Sequence, residues 1–522
     1  MEPRPTSEAD RLNQEFERVT DDILTKLASR FPVCTSSDEF HFFPQIPPGP
    51  SHWSRWDDFS AESIFTFGSH CQDWMRRLNA LEAALHSKDQ RIDIRLMRRM
   101  LTTLNEQLTV VAPHRKQPTL YLTIVGIGLA EAIETGASRF KQRLKGVPGF
   151  LLDAEINLSS VPALFNRMGQ TMAQNLSAWL QALPVEDEIT RSARTALGRF
   201  TTHLRAMPVD ERFLLPIEVY ERIATEHIGT RVSTAELEAE LASEQETVSR
   251  LLRRHAAQID PSAHWRDVVA GLKHPWPGGR PIGPFRRATD ALAAHCVAQG
   301  LMPAVLPQTC PVRIETIPEY MTPIRSSAAF SAVAGHPARG GTFYIVDDAV
   351  PADYRLLTAH ETYPGHHLLD TCRWNHSRNV RRHLEFPLFY EGWASFSEEL
   401  MFATGFFSGP ADGLLLAKRR FWRALRGRVD LNIHMRRQSL KSAAAFLSAQ
   451  GMAPSQARAT VARYALKPGY QLSYTIGRRR FRRLYAQCQG PGKAKHFARR
   501  ILSQGEIEFD ELETLLMQGG ER

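Results

Sequence analysis

The sequence predicts a mainly α-helical protein with one small β element placed just ahead of a metal-binding motif. Three observations carry that reading. Apolar residues recur at helical spacing along most of the chain. Strand-like stretches are confined to Val312–Glu315 and Gly341–Val346, the second bounded by Gly-Gly and Asp-Asp. Immediately downstream, residues 360–367 read HETYPGHH and residues 390–394 read YEGWA.

The composition is that of an ordinary globular chain. It has 522 residues, 43% hydrophobic and 23% charged, with 65 basic and 56 acidic residues for a net charge of +9. This excludes a disordered, a collagen-like and a multi-pass membrane protein. The length suits three or four domains at about 150 residues each, yet no linker, repeat or low-complexity tract divides it. The expectation is one body over residues 1–522, with an N-terminal helical half, 1–270, and a C-terminal half, 271–522, carrying the metal site.

Taken in order, Glu8–Arg30 places Leu12, Phe16, Val19, Ile23, Leu24 and Leu27 on one helical face. Phe42–Trp56, rich in Pro, Phe and Trp, reads as an extended packed loop. Helical patterns run from Ala61 to Ala112, where Pro113 marks a break, and over Pro118–Gln142, Val161–Ala182, Asp187–Ala206 and Leu215–Ile223. Thr234–Ile259 is a strongly charged amphipathic helix, and Ser233 with Glu236 makes a capping box at its start. His274–Gly283, HPWPGGRPIG, is a loop. Beyond the two strands, helix resumes at Ala352 and continues for most of the remaining chain.

Met1–Asp10 is polar and mixed in charge, unlike a signal segment. The most apolar stretch, Leu120–Ile133, contains Glu131 and falls short of the ~20 residues that span a bilayer, so it reads as a buried core helix. The cysteines (Cys34, Cys71, Cys296, Cys310, Cys372 and Cys488) are scattered and form neither a CxxC pair nor a disulfide framework. A reducing, cytoplasmic location with no membrane partner is expected.

The N-terminal half is near charge balance or slightly acidic, so the basic excess lies downstream. It concentrates in Lys418–Arg437 and Arg478–Arg483. Such runs bind nucleic acid or an acidic substrate in some proteins and are solvated helix faces in most. Here Phe421, Trp422, Leu425, Val429, Leu431 and Ile433 are interleaved at helical spacing, which indicates a packed amphipathic helix whose charged side lines something. No DNA- or RNA-binding motif accompanies the runs, and Gly490-Pro491-Gly492-Lys493 is not a phosphate loop. Nucleic acid is therefore not an expected partner.

HETYPGHH begins like the zinc-protease HExxH helix, in which two His one turn apart hold the metal and the Glu activates water. Position 364, where the second His belongs, is Pro. On a straight helix, at about 100° per residue, His360 and His366 face different sides, while His360 and His367 lie about 10.5 Å apart along the axis. Neither pair reaches one ion through bonds of about 2.0 Å. Pro364 disfavours helical geometry at Tyr363, and Gly365 tolerates unusual dihedrals. A bend at this step is predicted to swing His366 into the second ligand position, which favours it over His367. The third ligand is sought on the helix beginning near Pro387. Glu391 fits, with Gly392 and Ala394 small enough to let the two helices approach. Glu398 and Glu399 are the alternatives, and His376 and His383 read as surface residues.

HExxPGHH followed by EGWA resembles the bacterial domain-of-unknown-function family 885 (DUF885), regarded as metallopeptidases of the gluzincin type. Arg426–His434, RGRVDLNIH, and Lys467–Arg480, KPGYQLSYTIGRRR, are similar to two further stretches of that family, and Arg30-Phe31-Pro32 and Asp58-Phe59-Ser60 also resemble it. The resemblance extends over nearly the whole chain and implies a large helical metallopeptidase-like fold. By position it makes His360, His366 and Glu391 the metal ligands and Glu361 the general base. It makes His434 and Tyr474 candidates for binding the oxyanion or the substrate. Arg426 and Asp430 become candidates for supporting the ligands or holding substrate charge. Thr475 departs from the family, many of whose members have a basic residue after the Tyr. Basic character reappears at Arg478–Arg480, so Arg480 joins Arg426 as a candidate for substrate binding.

The activity implied is zinc-dependent hydrolysis of a peptide or amide bond, in a peptide or an N-acyl amino acid, with manganese or cobalt as alternative metals. Two other readings stand beside it: a catalytically inactive, metal-containing peptide-binding protein, and a nucleic-acid-associated protein using the basic runs. Glu361 speaks against the first, because a protein used only for binding needs no general base there.

Overall fold

The structure is a computed structural model that describes residues 8–84, 87–183, 187–272, 278–318, 321, 327–332, 340–346 and 350–518. Helix makes up 72% of it, and the strands are few and short, so the fold is mainly α. Contacts group the chain into two compact units. One is Met1–Phe213 with Pro318–Ser326 and Ser377–Leu384; the other is Leu214–Ile317, Ser327–His376 and Glu385–Arg522.

The first unit is built of amphipathic helices whose apolar stripes face inward. Helix Glu8–Arg30 buries Phe16, Val19, Ile23, Leu24 and Leu27, five of the six residues its periodicity marks, and half-buries Leu12. The predicted Pro118–Gln142 helix is two helices, Pro118–Thr135 and Ala137–Asn157, divided at Gly136. Gly136 adopts φ +123°, a conformation side chains rarely tolerate, and that turns the chain. The apolar Leu120–Ile133 stretch lies within the first of these helices, mostly buried. Among the described residues, no helix is long and apolar enough to cross a membrane. Between the two helices' glycines sits Trp56, which packs against Gly128 and Gly146 and donates to Arg143 O at 3.2 Å. The Phe42–Trp56 segment is thereby pinned as a packed loop.

In the second unit, helix Thr234–Ile259 starts at the predicted capping box, with both Ser233–Glu236 bonds present, and runs against helix Gly409–His434. Helix Pro387–Ala403 packs on helix Leu472–Gln487. A three-stranded sheet precedes the motif in sequence. Gly341–Ile345 is its centre, parallel to Val312–Thr316 and antiparallel to Ala329–Ala332, with Phe330 opposite Phe343. Phe285, Ile314, Phe343 and Ile345 form its core. The third strand, Ala329–Ala332, is absent from the sequence prediction because AFSA is short, with one large apolar residue among small ones. The HPWP part of the expected loop, residues 274–277, lies outside the described residues.

Candidate metal centre

The motif folds as two helices separated by the predicted break. Tyr354–Glu361 ends at Thr362, and His366–Trp374 begins after Gly365. The Tyr363–Pro364 peptide between them is cis. The Gly365 amide donates to Ala359 O at 3.1 Å, which folds the chain back on the helix it has just left. A Cβ on Gly365 would lie 1.8 Å from His360 O, so close approach demands glycine here. Trp393, from YEGWA, donates its indole N–H to Pro364 O at 2.8 Å and ties the bend to helix Pro387–Ala403. Ser397 on that helix reaches Ala359 O at 3.3 Å.

This geometry brings His360 and His366 together, with ring centroids 4.8 Å apart. Glu391 completes a buried group of three whose ligand atoms all lie within 4.8 Å of one another. Its Oε2 is 3.5 Å from His360 Nε2 and 3.6 Å from His366 Nε2. Both distances are long for hydrogen bonds. They match the spacing of about 3.3 Å between ligands of one tetrahedral ion with bonds of about 2.0 Å. Glu391 Oε2 is also buried without a hydrogen-bond partner. Two imidazoles and one carboxylate form a donor set suited to zinc. The residues present therefore fit a single divalent ion.

The surroundings position these three side chains. Glu398 Oε1 and Arg423 Nη2 both lie 3.2 Å from His360 Nδ1, which fixes the ring with Nε2 toward Glu391. Burial raises the pKa of Glu398, but Arg419 and Arg423 outweigh it and hold the carboxyl well below the usual range. Arg423 bonds Glu398 through both terminal nitrogens, at 3.0 and 2.7 Å. His366 stacks on Tyr390 at 4.0 Å. Glu361 Oε2 accepts the Phe330 amide at 2.9 Å, so the strand absent from the prediction fixes the candidate base. Tyr470, which sequence reasoning passed over, donates to Glu391 Oε1 at 2.7 Å. Tyr474 faces the same carboxylate. Burial, then the Glu391 charge, push both phenols well above their ordinary value, so both keep their protons.

Gly392 contributes differently from expectation. It touches Gly477 of helix Leu472–Gln487, where a Cβ on Gly477 would lie 2.1 Å from Leu388 O. The close crossing thus brings helix Leu472–Gln487, which bears Tyr474 and follows the turn holding Tyr470, onto the helix carrying Glu391.

The DUF885 family, described as bacterial protein of unknown function, matches residues 48–516. The chain belongs to DUF885. The solved structures similar to this DUF885 chain include a "putative lipoprotein of unknown function" from Shewanella oneidensis, with a TM-score of 0.74 at 16% identity over 96% of this chain and 99% of that one. Another is a "putative lipoprotein" from Colwellia psychrerythraea, with a TM-score of 0.74 at 16% identity over 97% and 99%. At that identity the likeness concerns the fold. A search of the curated proteins finds no match.

Other residues singled out in the DUF885 motifs lie elsewhere. His367 turns away from the centre and donates from Nε2 to Cys310 O at 2.9 Å, and burial pushes its pKa down to about 4. His383 is buried rather than on the surface, with Nδ1 2.7 Å from Gln45 O. Arg480 donates to Thr230 O. His434 stacks on Tyr220 at 4.9 Å and bonds Tyr464 O. It follows Arg423 by eleven residues on one helix, about 16 Å at 1.5 Å per residue, and so sits far from the end that meets His360.

The basic runs are largely consumed by carboxylates. Arg420 and Arg478 meet Glu244 at 2.9 and 2.7 Å, Arg479 meets Glu240 at 3.0 Å, and Arg428 meets Glu238 at 2.6 Å. Arg482 pairs with Glu399 at 2.8 Å. The acidic face of Thr234–Ile259 is the counterpart of the basic face of Gly409–His434. Apart from the exposed Arg482, these residues form a packed charge interface rather than a solvated surface.

His434 yields a pH prediction. Burial pushes its pKa down to about 4, against about 6.5 unfolded, so its stabilising contribution is present above pH 6.5 and is lost as the pH falls toward 4. Asp430 acts oppositely. Burial pushes it up to about 7 against the donors Gly469 N and Gln471 N, so its contribution is lost as the pH rises from about 4 to 7. His434→Gln removes the first effect. Denaturant unfolding at pH 7.5 and 4.5 is expected to show wild type losing ~2–3 kcal/mol more on acidification than the variant. Equal losses would refute a neutral, buried ring.

Proposed function

We propose that this protein is a metal-dependent, zinc-preferring hydrolase of peptide or amide bonds. One observation carries the reading: the ligand atoms of His360, His366 and Glu391 converge within 4.8 Å of one another, both imidazoles at the spacing to Glu391 that one tetrahedral ion needs, with the Glu361 carboxylate beside them in sequence. A divalent ion on these ligands supplies Lewis acidity, polarising a carbonyl and lowering the pKa of a water. In the reaction, water adds across the C–N bond. Its oxygen goes to the acyl carbon, and one proton goes to the leaving nitrogen. Glu361 takes the proton from the attacking water and passes it to the amine. Its Oε2 is held by Phe330 N–H, which leaves Oε1 as the working atom. The Tyr474 hydroxyl, still protonated, is the donor assigned to the developing oxyanion, a contribution of ~3 kcal/mol for one such group.

All six cysteines are unpaired, which supports a reducing, cytoplasmic compartment. The lipoprotein descriptions of the two solved relatives point the other way for those proteins, and fractionation of the source cells decides between them.

A panel of short peptides and N-acyl amino acids, incubated with zinc, manganese or cobalt, tests the activity. Amine release that needs the metal and stops with a chelator is expected. Metal-loaded protein that releases no amine from any of them contradicts the reading.

A further inference from the structure

Resting on that hydrolase reading, we propose that Arg426 binds the free α-carboxylate of the residue whose nitrogen is released. The substrate is then an amino acid acylated on nitrogen and bearing a free carboxylate. A peptide's C-terminal residue and an N-acyl amino acid both have this chemistry.

The argument begins with charge accounting along helix Gly409–His434. Lys418, Arg419, Arg420, Arg423 and Arg428 all meet carboxylates. Among the described residues, Arg426 meets none. Its Nε is buried without a hydrogen-bond partner, although the residue is only half-buried. An arginine fork left without an acceptor is suited to bidentate recognition of a carboxylate from outside the chain.

Position supplies the second half. The Arg426 guanidinium lies over the Tyr474 ring, 4.4 Å from its centroid, and Tyr474 faces the ligand Glu391. Arg426 is therefore one aromatic ring away from the metal ligands. In a substrate of the proposed class, the carboxylate carbon is three bonds from the scissile carbonyl carbon, about 3–3.7 Å. A scissile carbonyl at the three ligands thus brings the carboxylate toward this guanidinium. The other candidate, Arg480, is bonded to Thr230 O.

Calorimetric titration tests the assignment by binding, without turnover. The probes are N-benzoylglycine and acetyl-trialanine, each compared with its own C-terminal amide. Wild type is expected to bind each acid about ten- to a hundred-fold more tightly than its amide. Arg426→Gln is expected to bind acid and amide alike, and Arg426→Lys to recover part of the preference. Whichever acid binds better identifies the source of the carboxylate. Wild type that does not distinguish acid from amide overturns the proposal without needing any variant. A preference that survives in folded, metal-replete Arg426→Gln also overturns it, since the carboxylate is then held elsewhere. Hydrolysis of amide-capped peptides as efficiently as their acids would remove Arg426 from recognition and leave the hydrolase standing. Acid-selective binding without hydrolysis of any substrate would do the reverse.

Discussion

Glu361→Gln is expected to lower kcat by about 10²–10⁴-fold while the metal stays bound. The substitution is nearly isosteric, and its carbonyl oxygen still accepts the Phe330 amide that bonds Glu361 Oε2. What disappears is the capacity to take a proton from water and return it to the amine. Steady-state kinetics and metal content on the same preparation check both halves. A variant within tenfold of wild type contradicts the general-base role. A variant that loses the ion makes Glu361 a ligand instead.

Glu398→Ala is expected to produce the largest loss of stability. Glu398 is fully buried and accepts from Arg419 and Arg423, and it lies 3.2 Å from His360 Nδ1. Truncation leaves Arg423 buried without that carboxylate and frees the His360 ring to rotate. Breaking a buried pair from one side costs about 3–5 kcal/mol. Loss of the partner that orients a ligand His lowers metal affinity by about 10–100-fold. Chemical denaturation and metal competition measure the two effects. Glu398→Gln, which keeps an oxygen beside His360 Nδ1, is expected to recover more of the affinity than of the stability.

The approach of His366 to His360 was readable in the sequence from helix geometry. Six- and seven-residue spacings cannot meet on a straight helix, so HETYPGHH had to bend, and Pro364–Gly365 was the step that could do so. The helix limits Glu8–Arg30 and Thr234–Ile259 were readable for a related reason: a strong apolar stripe, and in the second case a cap, are local signals. What stayed hidden depends on partners far away in sequence. Gly392 marks a close helix approach, but nothing local says that the neighbour is Gly477. The basic run after Lys418 looks like a binding surface until Glu238 and Glu244, some 180 residues earlier, are folded against it. His434 shares its helix with Arg423, and sequence alone does not say which turn meets the metal ligands. Tyr470 was within reach. It stands four residues before Tyr474, on the same face if the helix extends back by one turn, and KPGYQLSY carries both.

The account stands on three side chains sharing one cation, with the Pro364–Gly365 bend choosing His366 over its neighbour. Metal content by mass spectrometry, after loading with zinc and extensive dialysis, tests this on wild type, His366→Ala and His367→Ala. One ion per chain is expected in wild type and in His367→Ala, and none in His366→Ala. Wild type that retains no ion, or an ion lost from His367→Ala and kept by His366→Ala, would contradict it.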